Sequence, residues 1–321
     1  MDIVIGYFSM FKLVCPLLLA MLAVCLTPVR AEDAGTKRRL TEERSVLKQA
    51  EEQVRRNPKD IGRRAVLSTI YRGVGESEVA EKLNRETLTL PGGKTPVVCN
   101  ELVQSVASQS RYEEAMALVN QYLKEFPHEP ALLMERAYLW ERFKKPEKRL
   151  ADCNDALSHV KPADKELTNR ILALRAQIYF GEKDWSNALN DFNSCIAAAP
   201  KGAHLYARRG RCLIKLGKFK EGLADLDACI RLAPGDLEPY EYRCEYFENS
   251  HQYKKAIADL TVIIDNTHNG MHKEYFERRM KLFELTGQKA LANKDKATLK
   301  EFDAIMFDAF KPLKYDPSGG P

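Results

Sequence analysis

Along the middle of the chain apolar residues recur every three or four positions, the spacing of a helix with one buried face, and nowhere in sustained alternation as a half-buried strand requires. Leu172, Ala176 and Tyr179 carry the spacing in one stretch, Tyr206, Gly210 and Leu213 in the next, and Tyr240, Cys244 and Phe247 in a third. After each comes a second helical stretch: WSNALNDFNSCIAAAPKG from Trp185, FKEGLADLDACIRLAPGD from Phe219 and YKKAIADLTVIIDNTHNG from Tyr253, each displaced by 34 residues from the last. Asp191, Asp225 and Asp259 coincide, as do Phe192, Leu226 and Leu260, and Cys195, Cys229 and Ile263. Every unit is therefore expected to be two helices. The small residues Ala176, Gly210 and Cys244 of the first helix, with Ala188, Gly222 and Ala256 of the second, let the two approach closely. Gly217 supplies a turn between helices, and Pro200 and Pro234 mark where second helices have ended.

This pattern of large, small and aromatic positions with a closing proline resembles the tetratricopeptide repeat family. The likeness is strongest over Asn169 to Gly270 and extends as about six repeats over residues 61–270. Arg111 to Pro127 reads as a second helix preceded by a first at Val97 to Ser108. From Pro130 to Thr168 runs a longer unit, with Arg149 in the usual small position and about five extra residues near Lys161 to Glu166. Ile61 to Thr95 is a weaker copy, and Thr41 to Pro58, within residues 32–60, reads as an N-terminal capping helix. Over residues 271–311, Glu274 to Leu285 opens a unit whose second helix has drifted, and Ala297 to Phe310 caps the stack; residues 312–321 are expected to be disordered. The resemblance implies an all-α fold, a right-handed α-solenoid of stacked helix-turn-helix hairpins whose first helices line a concave groove. It also implies binding of a protein or peptide there.

The 321 residues are 45% hydrophobic and 30% charged, enough to bury a sizeable core beneath a charged surface. The net charge of +5, from 50 basic and 45 acidic residues, lacks the basic excess that wraps nucleic acid, and no nucleic-acid partner is expected. Residues 1–31 read as a secretory signal peptide: Lys12 precedes the apolar run Leu13 to Leu26, and cleavage fits after Ala31. Met10 offers a more usual start. The fourteen apolar residues would span only about 21 Å as a helix, short of a bilayer core of about 30 Å, which disfavours a retained anchor. Val24 before Cys25 disfavours a lipoprotein. The expected location is outside the cytoplasm, in a periplasm or an extracellular space, with no membrane span after cleavage.

Candidate chemistry is sparse. Asp225 and Asp227 lie about 200° apart around a helix, so they do not chelate one ion together; Asp191, Asp225 and Asp259 are read instead as partners of a neighbouring hairpin. Pro91 to Thr95, PGGKT, ends like a phosphate loop, but Leu88 stands where the first glycine belongs and no strand precedes it; it reads as a connector. His268 and His272 are separated by Gly270, and His128, His159, His204 and His251 are scattered among turns and helix ends, so no metal site is expected. No nucleophile elbow, HExxH or dinucleotide loop is present; neither catalysis nor a cofactor is expected.

Without Cys15 and Cys25, six cysteines remain: Cys99, Cys153, Cys195, Cys212, Cys229 and Cys244. Export permits disulfides, and a stack would bring Cys229 near Cys244 and, less closely, Cys195 near Cys212. Each bond would close a loop of about 15 residues, worth roughly 3 kcal/mol. Buried structural thiols are the alternative. In the groove, one first helix presents His204, Arg208, Arg211 and Lys215, and the next presents Glu238, Glu241, Tyr242, Glu245 and Glu248. These opposite charges form either a ladder of inter-repeat ion pairs or a bipolar surface that orients a charged peptide. Some members of the family hold acidic carboxyl ends with a lysine, asparagine and arginine clamp; here Asn100, Gln104, Ala207 and Arg211 occupy the corresponding places, and the clamp is absent. A non-catalytic exported scaffold is the leading expectation. Its rivals are an enzyme with an unrecognised groove site and a glycan- or ligand-binding module using Tyr242 and Phe180.

Overall fold

A computed structural model describes residues 34–267 and 273–309, so the signal segment, His268, His272 and the last twelve residues lie outside the described residues. Among the described residues there are fifteen helices and no strand. They are α1 (Ala34–Arg56), α2 (Ile61–Gly73), α3 (Ser77–Leu88), α4 (Pro96–Ser108), α5 (Tyr112–Glu125), α6 (Pro130–Arg142), α7 (Pro146–His159), α8 (Lys165–Gly181), α9 (Trp185–Ala198), α10 (Ala203–Lys215), α11 (Phe219–Leu232), α12 (Glu238–Asn249), α13 (Tyr253–Asn266), α14 (Lys273–Leu285) and α15 (Lys289–Ala309). No described helix is long and apolar enough to cross a membrane.

The chain forms two compact units, one through Glu182 and one from Lys183. The first contains α1, the hairpins α2/α3, α4/α5 and α6/α7, and α8. Its core runs from Cys99, Leu102, Val103 and Val106 of α4 across Ala115 and Val119 of α5 to Leu132 of α6. Met134 and Ala137 then pack with Cys153 and Ala156 of α7 and Ile171 and Leu174 of α8. The second unit contains α9 and the hairpins α10/α11, α12/α13 and α14/α15, where Cys244, Phe247, Ala256, Leu260 and Leu282 are packed together.

Helix starts follow local chemistry. Asp60, Thr95 and Asp164 each accept a hydrogen bond from the backbone N–H three residues on, and Pro96, Pro130, Pro146 and Pro239 sit in first turns, where no intrahelical N–H is lost. PGGKT is the expected connector. A Cβ on Gly93 would lie 1.8 Å from the Thr87 carbonyl oxygen, Lys94 pairs with Glu125, and Thr95 caps α4.

The paired small residues do what their spacing predicts. A Cβ on Gly210 would stand 2.8 Å from the Gly222 carbonyl oxygen, and one on Gly222 would stand 2.7 Å from that of Gly210, so α10 and α11 cross backbone to backbone. Within the hairpins of the two units, Gly75, Ser110, Lys144, Gly217, His251 and Gly287 each take a left-handed conformation in the turn between helices.

One expectation needs correction. The last unit has not drifted: α15 is one continuous helix from Lys289, with Ala292 in the small position and Asp295 in the aspartate column. Asp295 falls 36 residues after Asp259 rather than 34, so a longer connector before α14, not a lost helix, displaced the register. The six described cysteines are buried free thiols, the alternative that the sequence left open beside the pairings Cys229–Cys244 and Cys195–Cys212. Cys244 Sγ lies 3.7 Å from the Ala256 carbonyl oxygen of its own hairpin and 3.4 Å from Arg278, while Cys229 Sγ lies 3.7 Å from Asp236. Each sulfur is thus turned toward partners of its own, as a small buried side chain is.

Candidate binding face and its ion-pair ladder

The aspartate column has a partner column, and both are structural. Arg209 of α10 forks onto Asp225 of α11, with Nε 2.6 Å from Oδ2 and Nη2 2.8 Å from Oδ1. The same two-pronged bond joins Arg136 to Asp152, Arg243 to Asp259 and Arg279 to Asp295. It ties the two helices of one hairpin, not neighbouring hairpins as expected from sequence. The reach to the neighbour comes from the remaining guanidinium nitrogen. Arg209 Nη1 donates to Asn193, Arg243 Nη1 to Asp227 at 2.6 Å, Arg136 Nη1 to Asn120 and Arg279 Nη1 to Thr261. Asp225 and Asp227 therefore serve different arginines on successive hairpins.

The expected groove residues all lie on the first helices of the unit from Lys183, and the structure brings most of them into one ladder. Lys215 Nζ lies 2.6 Å from Glu245 and Arg211 Nη2 3.4 Å from it; Arg208 is 3.7 Å from Glu238, and Arg278 of α14 closes the next rung on Glu248 at 2.8 Å. Burial pushes the Glu245 carboxyl up, yet Lys215, Arg211 and Arg278 outweigh it and hold the group below its ordinary value. His204 and Glu241 are exposed beside the ladder.

Tyr242 is 8% exposed, lies under the Arg211 guanidinium at 4.4 Å, and donates its hydroxyl to Glu238. Burial first, then Glu238, pushes its phenol well up. A ring sealed in this way is no platform for a sugar, which removes the sequence-level argument for glycan stacking at this position. A cavity of 360 Å³ opens between α11, α12 and α13, lined by Leu223, Asp227, Arg243, Phe247, Lys255, Ala258 and Asp259; its charged lining belongs largely to the clamps just described.

The first helices of the other unit carry a different face, which sequence reading missed. Arg72 pairs with Glu101 at 3.3 Å, Gln104 Nε2 donates to Glu135 at 2.8 Å, and Asn100, Glu101, Gln104 and Glu135 are all buried. Two of the places that departed from the family clamp, Asn100 and Gln104, thus lie in an internal polar seam that runs from α2 to α4 to α6. Burial raises the Glu135 carboxyl above its ordinary value against the pull of Gln104, Arg72 and Arg170. Arg149, in the nominal small position of α7, extends to Glu141 at 3.3 Å.

A regular stack of two-helix hairpins, clamped internally by arginine and aspartate and linked across first helices by ion pairs, defines a helical-repeat protein. A family profile described as tetratricopeptide repeat matches residues 174–241, the stretch where the repeat is most regular. Comparison with curated proteins found no match. Among solved structures, a tetratricopeptide repeat protein from Parabacteroides merdae is similar at 18% identity, covering 79% of this chain and 93% of that one with a TM-score of 0.52. The Cut9–Hcn1 hetero-tetramer of APC/C gives 13% identity over 82% of this chain and 52% of that one, TM-score 0.58, and PilF of Pseudomonas aeruginosa 13% over 66% and 96%, TM-score 0.51. At these identities the likeness is one of fold.

Proposed function

We propose that the chain is an exported, non-catalytic scaffold that holds an extended protein or peptide segment along the first-helix face of the unit from Lys183. What supports it is the basic row of α10 set beside the acidic row of α12, with Lys215 and Glu245 2.6 Å apart. An exposed rung is worth at most about 1 kcal/mol, so an incoming carboxylate or ammonium displaces a rung partner at small cost while the paired rows orient it. The thiols do not compete as nucleophiles: burial pushes Cys99 and Cys195 up to about 11 and Cys212, Cys229 and Cys244 up to about 12. Export rests on the apolar run Leu13 to Leu26 and the small-residue site at Ala31.

The test is crosslinking in the native compartment, followed by identification of what co-purifies with the wild type and with an Arg208→Glu, Lys215→Glu double variant of unchanged melting temperature. Capture is expected to fall at least tenfold in the variant, and equal capture would sink the charged-face reading. N-terminal sequencing of the recovered protein should begin at Glu32; a retained residue 1 would sink the cleavage.

A further inference from the structure

Three side chains from two segments 27 residues apart converge at the surface of the unit through Glu182. His128 lies in the α5/α6 connector, and Asp155 and His159 lie one turn apart on α7. The Nδ1 atoms of both histidines lie beside the same carboxylate oxygen, Asp155 Oδ1, at 2.8 Å from His128 and 3.0 Å from His159, whose Nδ1 is also 2.9 Å from Ser158 Oγ and 3.0 Å from the Asp155 carbonyl oxygen. The two rings stack with centroids 4.3 Å apart and planes 16° from parallel. One ligand atom from each residue lies within 4.8 Å of the others.

The backbone is bent to achieve this. Among the described non-glycine residues, His128 is the one in the left-handed region, at φ 60°, that does not sit in the turn following a first helix. The other such residues serve the repeating hairpin turn; His128 turns its ring onto α7 instead. The side chains stay 56%, 32% and 45% exposed for His128, Asp155 and His159, so an ion and a further ligand can reach them from solvent.

We propose that His128, Asp155 and His159 form a zinc-binding site. Two imidazole nitrogens and one carboxylate oxygen are a donor set suited to a borderline divalent ion, and three protein ligands leave one tetrahedral position for water or a partner's side chain. Ligand atoms about 2 Å from a tetrahedral ion stand roughly 3.3 Å from each other, so the stacked rings must rotate out of parallel until both Nδ1 lone pairs converge on the ion, a movement open to exposed side chains. The ion takes the place of the proton that now links a ring nitrogen to the carboxylate. It ties the α5/α6 connector to the carboxyl end of α7, a second link between the hairpins α4/α5 and α6/α7 beside that of Arg136 to Asn120.

Zinc chloride titrated into the untagged full-length chain under isothermal calorimetry should show one ion per chain. His128→Gly, which tolerates the left-handed backbone, and His159→Ala should each weaken binding at least tenfold, while His251→Gly, a matched turn control, leaves it unchanged. Cobalt(II) in place of zinc should give a visible spectrum of nitrogen and oxygen ligation without thiolate charge transfer, which separates this site from the cysteines. Absence of saturable zinc binding in the wild type overturns the proposal, as does binding that either site variant leaves intact or a cobalt spectrum carrying thiolate charge transfer.

Discussion

Asp225 is 8% exposed, and its whole carboxylate is committed to Arg209, whereas Asp227 two residues on is exposed and meets only the outer nitrogen of Arg243. Removing Asp225 strands a guanidinium that is itself largely covered; removing Asp227 returns one nitrogen to water. Asp225→Ala is therefore expected to cost about 2–4 kcal/mol and Asp227→Ala less than about 1 kcal/mol, measured by urea denaturation. An Arg209→Met, Asp225→Leu pair should recover much of the loss, because both charges then leave the interior together; a double variant no better than Asp225→Ala would refute the stranded-charge account. The aspartate column was legible in the 34-residue alignment, but its partner was not, since the arginine lies sixteen residues earlier on the preceding helix. Arg136, Arg209, Arg243 and Arg279 all keep that spacing to an aspartate, and so do Arg175 and Asp191 in the sequence.

At the scale of helices, periodicity placed nearly every element, because each hairpin buries an apolar stripe whose phase is written in its own residues. It failed at a connector, where two extra residues before α14 moved the register without changing the hairpin. It is silent along the first helices α2, α4 and α6, where Glu101, Gln104 and Glu135 are polar yet buried. Glu135 tests that burial. Its folded-state value lies above its unfolded one, so the fold binds the extra proton, and this group's contribution to stability falls as pH rises from the ordinary carboxylate range of about 4.3 upward. Glu135→Gln, neutral at every pH and able to bond Gln104 in both directions, should stabilise by about 1 kcal/mol at pH 7, with the gain over wild type shrinking as pH falls to 4. Glu245 has the opposite sign: its lowered value makes its contribution present above the ordinary range and lost on acidification. A Glu135→Gln gain that persists unchanged at pH 4 would show that the buried charge is not the cause.

The whole molecule stores its stability in contacts between sequence neighbours, as stacked hairpins must, and it carries internal reporters of how those contacts fail. Cys99 and Cys153 lie in the unit through Glu182, and Cys195, Cys212, Cys229 and Cys244 in the unit from Lys183; every one is buried, and no disulfide joins them. A buried thiol with its ionisation pushed to about 11 or 12 is alkylated only when its own hairpin opens. Iodoacetamide at pH 8 should leave all six unmodified in the native protein. Along a urea gradient, pulse alkylation read by peptide mass spectrometry should modify Cys99 with Cys153 at one midpoint and the other four at a second, because each unit has its own core. If all six responded at a single shared midpoint, the two units would be one cooperative body in solution. If Cys229 or Cys244 resisted alkylation even in full denaturant until reductant was added, the exported protein would hold the disulfide that the reduced fold leaves unmade.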